Sequence, residues 1–364
     1  MELNVNMKAK LVDNPSFISR NDSAALKGLL ILLIIIGHLR GIPYLLQNYL
    51  YCFHVQCFFI LPFLYPAKPL SNQNLLNLGL KLLWPFFLLY ALQILLAVYV
   101  FHNSAFTDPQ DLIPGIDNVS LGIWSFFTGG ITLIDKFCGT QFLWFLPAFL
   151  SMSLIRGWYS TKNLSSLLKV LLFTVGTGCY VIYFVIRYGV PFYPVEFSLI
   201  TQAVSPISVF EGLGYFALGM GVLFLIKRLN FNSALVYWGI LLIITILYLL
   251  FNPYQLPFRI IKFFFPIVVF LALFSSKEWF GRFNILRKFG ARSLAIYLIH
   301  IFLCMIAGMV IPKELLSNPG VLVLEFFVIA GLSYLLALLI DRISLLRILL
   351  FPKGEEIGIK FNRR

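Results

Sequence analysis

The chain has 364 residues, 60% of them hydrophobic and only 12% charged, with a mean hydropathy of +0.90. A soluble globular domain is about half apolar and a quarter charged, so water is not the main solvent of this chain. Its net charge of +13 is spread along the sequence rather than gathered into one patch; that excludes nucleic acid as the expected partner and points to membrane topology and a lipid surface.

In lipid every unpaired backbone amide costs several kcal/mol, so long apolar runs close their own hydrogen bonds as helices. At 1.5 Å per residue, about 20 apolar residues cross the hydrocarbon core. The first 20 residues are polar and flow into an apolar run, which reads as a retained first helix rather than a cleaved leader. In chain order the expected spans lie near 24–43, 46–65, 78–101, 142–158, 167–188, 209–226, 234–251, 258–274, 294–311 and 321–340. The stretch 121–134 (LGIWSFFTGGITLI) is apolar, short and interrupted by glycines, which suits an interfacial or re-entrant element. The outer connection around 102–141 is too short and hydrophobic for a separate catalytic domain.

Cytoplasmic loops carry excess Lys and Arg. With the N terminus inside, the outer connections hold Arg40, Lys136, Arg187, Arg259, Lys262 and Lys313, and all the rest of the 28 basic residues fall on the inner side. The expected fold is therefore all-α, a polytopic bundle of ten spans with both termini cytoplasmic. Residues 1–23 form a cytoplasmic segment, 24–342 one membrane domain and 343–364 a basic cytoplasmic tail. Cys52, Cys57, Cys138, Cys179 and Cys304 lack paired spacing and read as small hydrophobes; a Cys52–Cys138 bridge at the outer side is the alternative.

Three of the four histidines, His38, His54 and His300, fall inside apolar spans. An ionisable side chain within a bilayer carries a cost and faces the bundle interior or a wet cavity, which makes it a functional candidate; the alternative is a neutral imidazole bonded between helices. His38 and His54 flank the outer turn at mirrored positions of antiparallel neighbours, and His300 enters from the inner side to a similar depth. The three imidazoles are expected in one layer. No carboxylate or cysteine joins them at ligand spacing, so acid–base work is expected and a metal is not.

Lys27 precedes His38 by eleven residues, so both project from nearly the same helix face, about 16 Å apart along the axis. The pair suits a ligand with an anionic head and a long reactive arm, although Lys27 also suits a snorkelling orientation signal. Arg40 is read as a contact for a substrate or as an interfacial anchor. Glu211 and Glu325 fall about a turn inside the outer surface, where solvation at the interface is their ordinary state and orienting a His the alternative.

The segment Arg20–His38 (RNDSAALKGLLILLIIIGH) resembles the opening signature of the membrane-bound acyltransferase 3 family, in which a basic residue stands eleven positions before an essential His. Further segments resemble that family in order: 53–65 (FHVQCFFILPFLY), 81–85 (KLLWP), 143–148 (LWFLPA) and 290–300 (GARSLAIYLIH). The resemblance implies a bacterial inner-membrane enzyme that transfers an acyl group, commonly acetyl, from acyl-CoA to a hydroxyl of a surface carbohydrate or lipid-linked sugar. It implies His38 as the essential base, with Lys27 and Lys81 on the donor side. His54 and His300 join His38 as candidate catalytic residues, and Arg40 and Glu325 are candidate substrate contacts. Lys stands where the family often has Arg in both donor motifs, and an ammonium lacks the bidentate phosphate geometry of a guanidinium. The family's small Ser-Gly after the second-span aromatics is Pro62-Phe63 here. A transporter or flippase of an acyl group, lipid-linked sugar or small polar solute is the alternative function, and a non-catalytic scaffold a third.

Overall fold

The computed structural model describes residues 16–68, 70–99, 127, 142–161, 164–188, 208–229, 231, 233–250, 256–316, 318–354 and 356, and among them it contains only helices and their connections. In chain order these are α1 (Arg20–His38), α2 (Tyr44–Tyr51), α3 (His54–Ile60), α4 (Asn72–Tyr99), α5 (Phe145–Thr161), α6 (Ser166–Tyr188), α7 (Val209–Arg228) and α8 (Ala234–Leu250). They are followed by α9 (Leu256–Ser275), α10 (Lys277–Gly281), α11 (Asn284–Ala291), α12 (Ser293–Val310), α13 (Pro319–Arg342) and α14 (Ser344–Leu350). By length and composition, Arg20–His38, Asn72–Leu92, Val209–Arg228, Ser293–Val310 and Pro319–Arg342 can cross a membrane. Shorter apolar helices occupy Ser166–Ile182, Ala234–Leu250 and Ile260–Ser275.

Within the described residues each expected span overlaps helix; the first helix stops at His38, short of the expected 43, and one span needs a larger correction. The segment 46–65 is not a single rod but α2, α3 and a 3₁₀ turn at Leu61–Leu64. Phe53 leaves helical geometry at φ −141°, ψ −29°, and Pro62 supplies no N–H to continue an α ladder. A hydropathy window runs through this break without registering it, because the residues on both sides are equally apolar. The element at 121–134 (apart from Phe127), the outer connection 102–141 and Cys138 with its bridge to Cys52 lie outside the described residues.

The chain divides into two compact units. The first comprises residues 1–67 and 219–338, with α1 at its centre. Ser19 caps α1, its hydroxyl accepting from the Asp22 N–H at 3.1 Å, which satisfies one of the orphan donors of the first turn. Leu26, Leu30 and Ile34, with Ile31 and Ile35, are buried at helical spacing along it. The helices α2, α3, α10, α11 and α12 pack against α1, and α9 packs on α3 and α8. The approach of α11 is backbone to backbone: a Cβ on Gly28 would strike the Leu286 carbonyl, and one on Gly290 would strike the Ala24 carbonyl.

The second unit comprises residues 68–218 and 339–364. Here α4 packs on α5 and α14, and the Trp84 indole N–H donates to the Leu349 carbonyl at 2.6 Å. The first turn of α7 fits tightly against α5, because a Cβ on Gly212 would lie 2.6 Å from Ser151 Cβ. Large apolar side chains stay exposed on the outer faces of both units, among them Leu235, Leu242 and Phe327 in the first and Leu167 and Val170 in the second. Such faces are ordinary where lipid is the solvent.

Candidate functional site

The first helix ends at His38 because Leu39 turns extended, at φ −62°, ψ 134°, with its N–H bonded to the Ile36 carbonyl. The chain then reverses through Gly41 and Pro43 into α2. Gln47 on α2 donates its side-chain N–H to the Gly37 carbonyl at 3.1 Å, closing one of the carbonyls that a helix end leaves open. Gly37 makes room for the Tyr51 ring, whose nearest carbon would lie 3.1 Å from a Cβ at that position. The interruption at Cys52 and Phe53 restarts the chain as α3, so that His54 opens the new helix.

These turns bring the three imidazoles together. The ring centroids of His38 and His300 are 5.1 Å apart and edge-on, and those of His38 and His54 are 6.5 Å apart. Two tyrosines join the layer. The Tyr51 ring lies 5.6 Å from His38 and 5.1 Å from His54, and Tyr297 lies 5.8 Å from His300. His54 and His300 are buried, and His38 is half-buried.

The hydrogen bonds set the tautomers. Nδ1 of His38 lies 2.8 Å from the Ile34 carbonyl, and Nδ1 of His300 lies 3.2 Å from the Ile296 carbonyl. Nδ1 of His54 bonds the Leu50 carbonyl across the break in the second segment. A carbonyl oxygen only accepts, so each Nδ1 carries the proton and donates. In the neutral ring the lone pair is then on Nε2 in all three residues. Nε2 of His300 is buried and, among the described residues, has no hydrogen-bond partner. An unmet buried polar atom costs about 1–3 kcal/mol, so folding holds this nitrogen in the layer at a cost. Chemically, the cluster offers bases whose reactive nitrogens are all of one kind and whose orientation is held from the backbone.

Lys27 is half-buried on α1, and since α1 is continuous from Arg20 to His38, the axial separation of about 16 Å holds. Lys81 is an exposed residue of α4 in the second unit. Arg40 is exposed, and its guanidinium covers Gly308 of α12. The carboxylates depart from the expectation of interfacial solvation: Glu325 is only 4% exposed and Glu211 3%. The sequence shows only that both lie near a span end; the tertiary fold buries them. Glu325 is in electrostatic reach of Arg40 and Cys304, whereas Glu211 belongs to the second unit, near Cys179. Among the described residues, no three His, Cys, Asp or Glu side chains are disposed to hold a metal ion.

The sequence reading did not single out Tyr51, Tyr297 or Gln47. The signal for the tyrosines is a repeated spacing: Tyr51 stands three residues before His54, and Tyr297 three before His300. Gln47 carries no comparable signal, because its role depends on where the reversed chain meets the end of α1.

Compared with known proteins, residues 22–342 match the acyltransferase 3 family model, described as an acyltransferase domain. The chain belongs to the acyltransferase 3 family. No curated protein and no solved structure matches it. The family match covers nearly the whole chain and includes the His layer, Lys27, Lys81, Arg40 and Glu325. With its several apolar helices, this acyltransferase 3 member is a multi-pass membrane protein of an acyl-transferring family.

Proposed function

We propose that the protein is an acyl-CoA-dependent O-acyltransferase of the bacterial inner membrane, with ten spans, both termini cytoplasmic, and a carbohydrate or lipid-linked sugar as acceptor. The observation that carries this reading is the His38 ring: its Nδ1 is held by the Ile34 carbonyl, which leaves Nε2 as a base at the end of the helix that carries Lys27. In the reaction, Nε2 of His38 takes the proton of the acceptor hydroxyl as its oxygen attacks the thioester carbonyl carbon. The carbon–sulfur bond then breaks, and the imidazolium returns the proton to the leaving thiolate, giving an ester and CoA thiol. His54 and His300 are proposed to share the catalytic layer, and Tyr51 to orient two of its rings.

Lys27 is proposed to hold donor phosphates, since a cation about 16 Å from the base matches a nucleotide head with a long pantetheine arm. Lys81 is proposed as a further donor-side cation. Arg40 and Glu325 are proposed to contact the acceptor. The acyl group is proposed to be acetyl. The break at Phe53 also suits the interrupted helices of a transporter, and thiol release separates the two readings. Purified protein with acetyl-CoA and a sugar acceptor is expected to release CoA thiol. His38→Gln is expected to stay folded and lose about 10²- to 10⁴-fold of that rate. Full activity in this variant refutes the assignment.

A further inference from the structure

Past the imidazole layer, one face of α12 continues through Cys304 and Gly308, four and eight residues beyond His300, each step about 6 Å along the axis. Cys304 is buried there, in electrostatic reach of both Glu325 and Arg40. Two glycines build this end. Gly41 brings the chain after His38 against the Leu316 backbone and, at 3.0 Å from its would-be Cβ, the Leu322 side chain. Gly308 leaves the space that the Arg40 guanidinium fills, since a Cβ there would strike its Nε, Cδ and Cζ atoms.

A carboxyl and a guanidinium are brought to the same end of the helices without an ion pair: Arg40 lies against Gly308, and Leu322, one turn before Glu325, lies against Gly41. Both carboxylate oxygens of Glu325 are buried, and among the described residues they have no hydrogen-bond partner. The Arg40 guanidinium lies near enough to interact electrostatically, yet among the described residues it forms no ion pair. A ligand that satisfies both must donate to the carboxylate and accept from the guanidinium. Adjacent hydroxyls do both. A carboxylate or phosphate would accept from Arg40 but face Glu325 with like charge, and an ammonium would face Arg40 the same way.

Resting on the acyl-transfer reading above, we infer that Arg40 and Glu325, seated by Gly308 and Gly41, form a subsite that reads a neutral vicinal diol of the acceptor and rejects acceptors charged at that position. The subsite spans the one to two helical turns beyond His300, about 6–12 Å along the axis, so the diol it grips lies within about two sugar rings of the hydroxyl that is acylated. Glu325 acts there as a charge filter and Gly308 as the residue that sets specificity.

The test measures CoA thiol release by the purified full chain, with acetyl-CoA as donor and, as acceptor, a methyl glucoside or the same glucoside carrying a phosphate on one hydroxyl of a vicinal pair. The wild type is expected to prefer the neutral sugar. A hydrogen bond to a charged group accounts for about 10- to 100-fold in affinity. Glu325→Gln should therefore raise the KM for the neutral acceptor by about that factor and narrow the discrimination against the phosphorylated sugar, with the donor KM unchanged. Gly308→Ala, which displaces the guanidinium, should raise the acceptor KM in the same way. Arg40 is exposed, so Arg40→Gln tests the subsite without risk to the core, and Arg40→Lys should retain part of the preference. Unchanged acceptor KM and unchanged neutral-to-anionic ratio in Glu325→Gln and Arg40→Gln overturn the inference while leaving acyl transfer standing. No thiol release by the wild type with either acceptor overturns both.

Discussion

The closest helix approach described in the first unit offers a perturbation whose size follows from the geometry. A Cβ placed at Gly290 would lie 2.6 Å from the Ala24 carbonyl carbon and 2.8 Å from the Gly28 nitrogen. Carbon contacts relax to about 3.5–4.0 Å, and the obstacles here are backbone atoms that no rotamer change removes. Gly290→Ala therefore pushes α11 off α1 by about 1 Å. Overpacking of that kind costs about 1–3 kcal/mol. Because α1 carries both Lys27 and His38, a displacement of about 1 Å transmitted along it is expected to lower the rate on the order of 10²-fold.

The assays are thermal unfolding of the purified protein in detergent, followed by tryptophan fluorescence, and CoA thiol release. Gly79→Ala is the control: it lies inside α4, a Cβ there meets nothing within 4 Å, and alanine favours the helix by about 1 kcal/mol. Gly290→Ala should lower the unfolding midpoint while Gly79→Ala holds or raises it. A Gly290→Ala protein with unchanged midpoint and unchanged rate refutes the close crossing of α1 and α11.

Gln47→Met removes the donor that meets the Gly37 carbonyl at 3.1 Å. It is expected to cost about 0.5–1.5 kcal/mol and to lower the thiol-release rate, because that carbonyl lies next to His38. Trp84→Phe removes the bond to the Leu349 carbonyl; faster amide hydrogen exchange over Ser344–Leu350 in α14 is the expected result, with rates at His38 and its neighbours unchanged.

Much of the architecture is legible without coordinates because lipid enforces it. A run of apolar residues in a bilayer has one cheap conformation, and within the described residues helix overlaps each expected span. The convergence of His38, His54 and His300 is legible for a related reason: antiparallel neighbours mirrored about a short turn meet at equal depth, and helical rise fixes the depth of His300. The family resemblance rests on short motifs whose residues are themselves in the sequence, and it survives comparison over nearly the whole chain.

What needed the tertiary structure is what hydropathy treats as equal. Leucine facing lipid and leucine facing a neighbouring helix are the same letter, so neither the break at Phe53 nor the burial of Glu211 and Glu325 shows in an apolar window. The short helices α10 and α11 read as a basic inner loop, and only their packing on α1 reveals Gly28 and Gly290 as points of backbone contact. The nearness of Arg40 and Glu325 joins residues far apart in the chain, brought about by where the turn after α1 lies against Gly308 of α12 and Leu322 of α13. Local sequence sets which segments are helical because each helix closes its own hydrogen bonds. Which faces meet is decided by long-range packing, and with it the chemistry of the site.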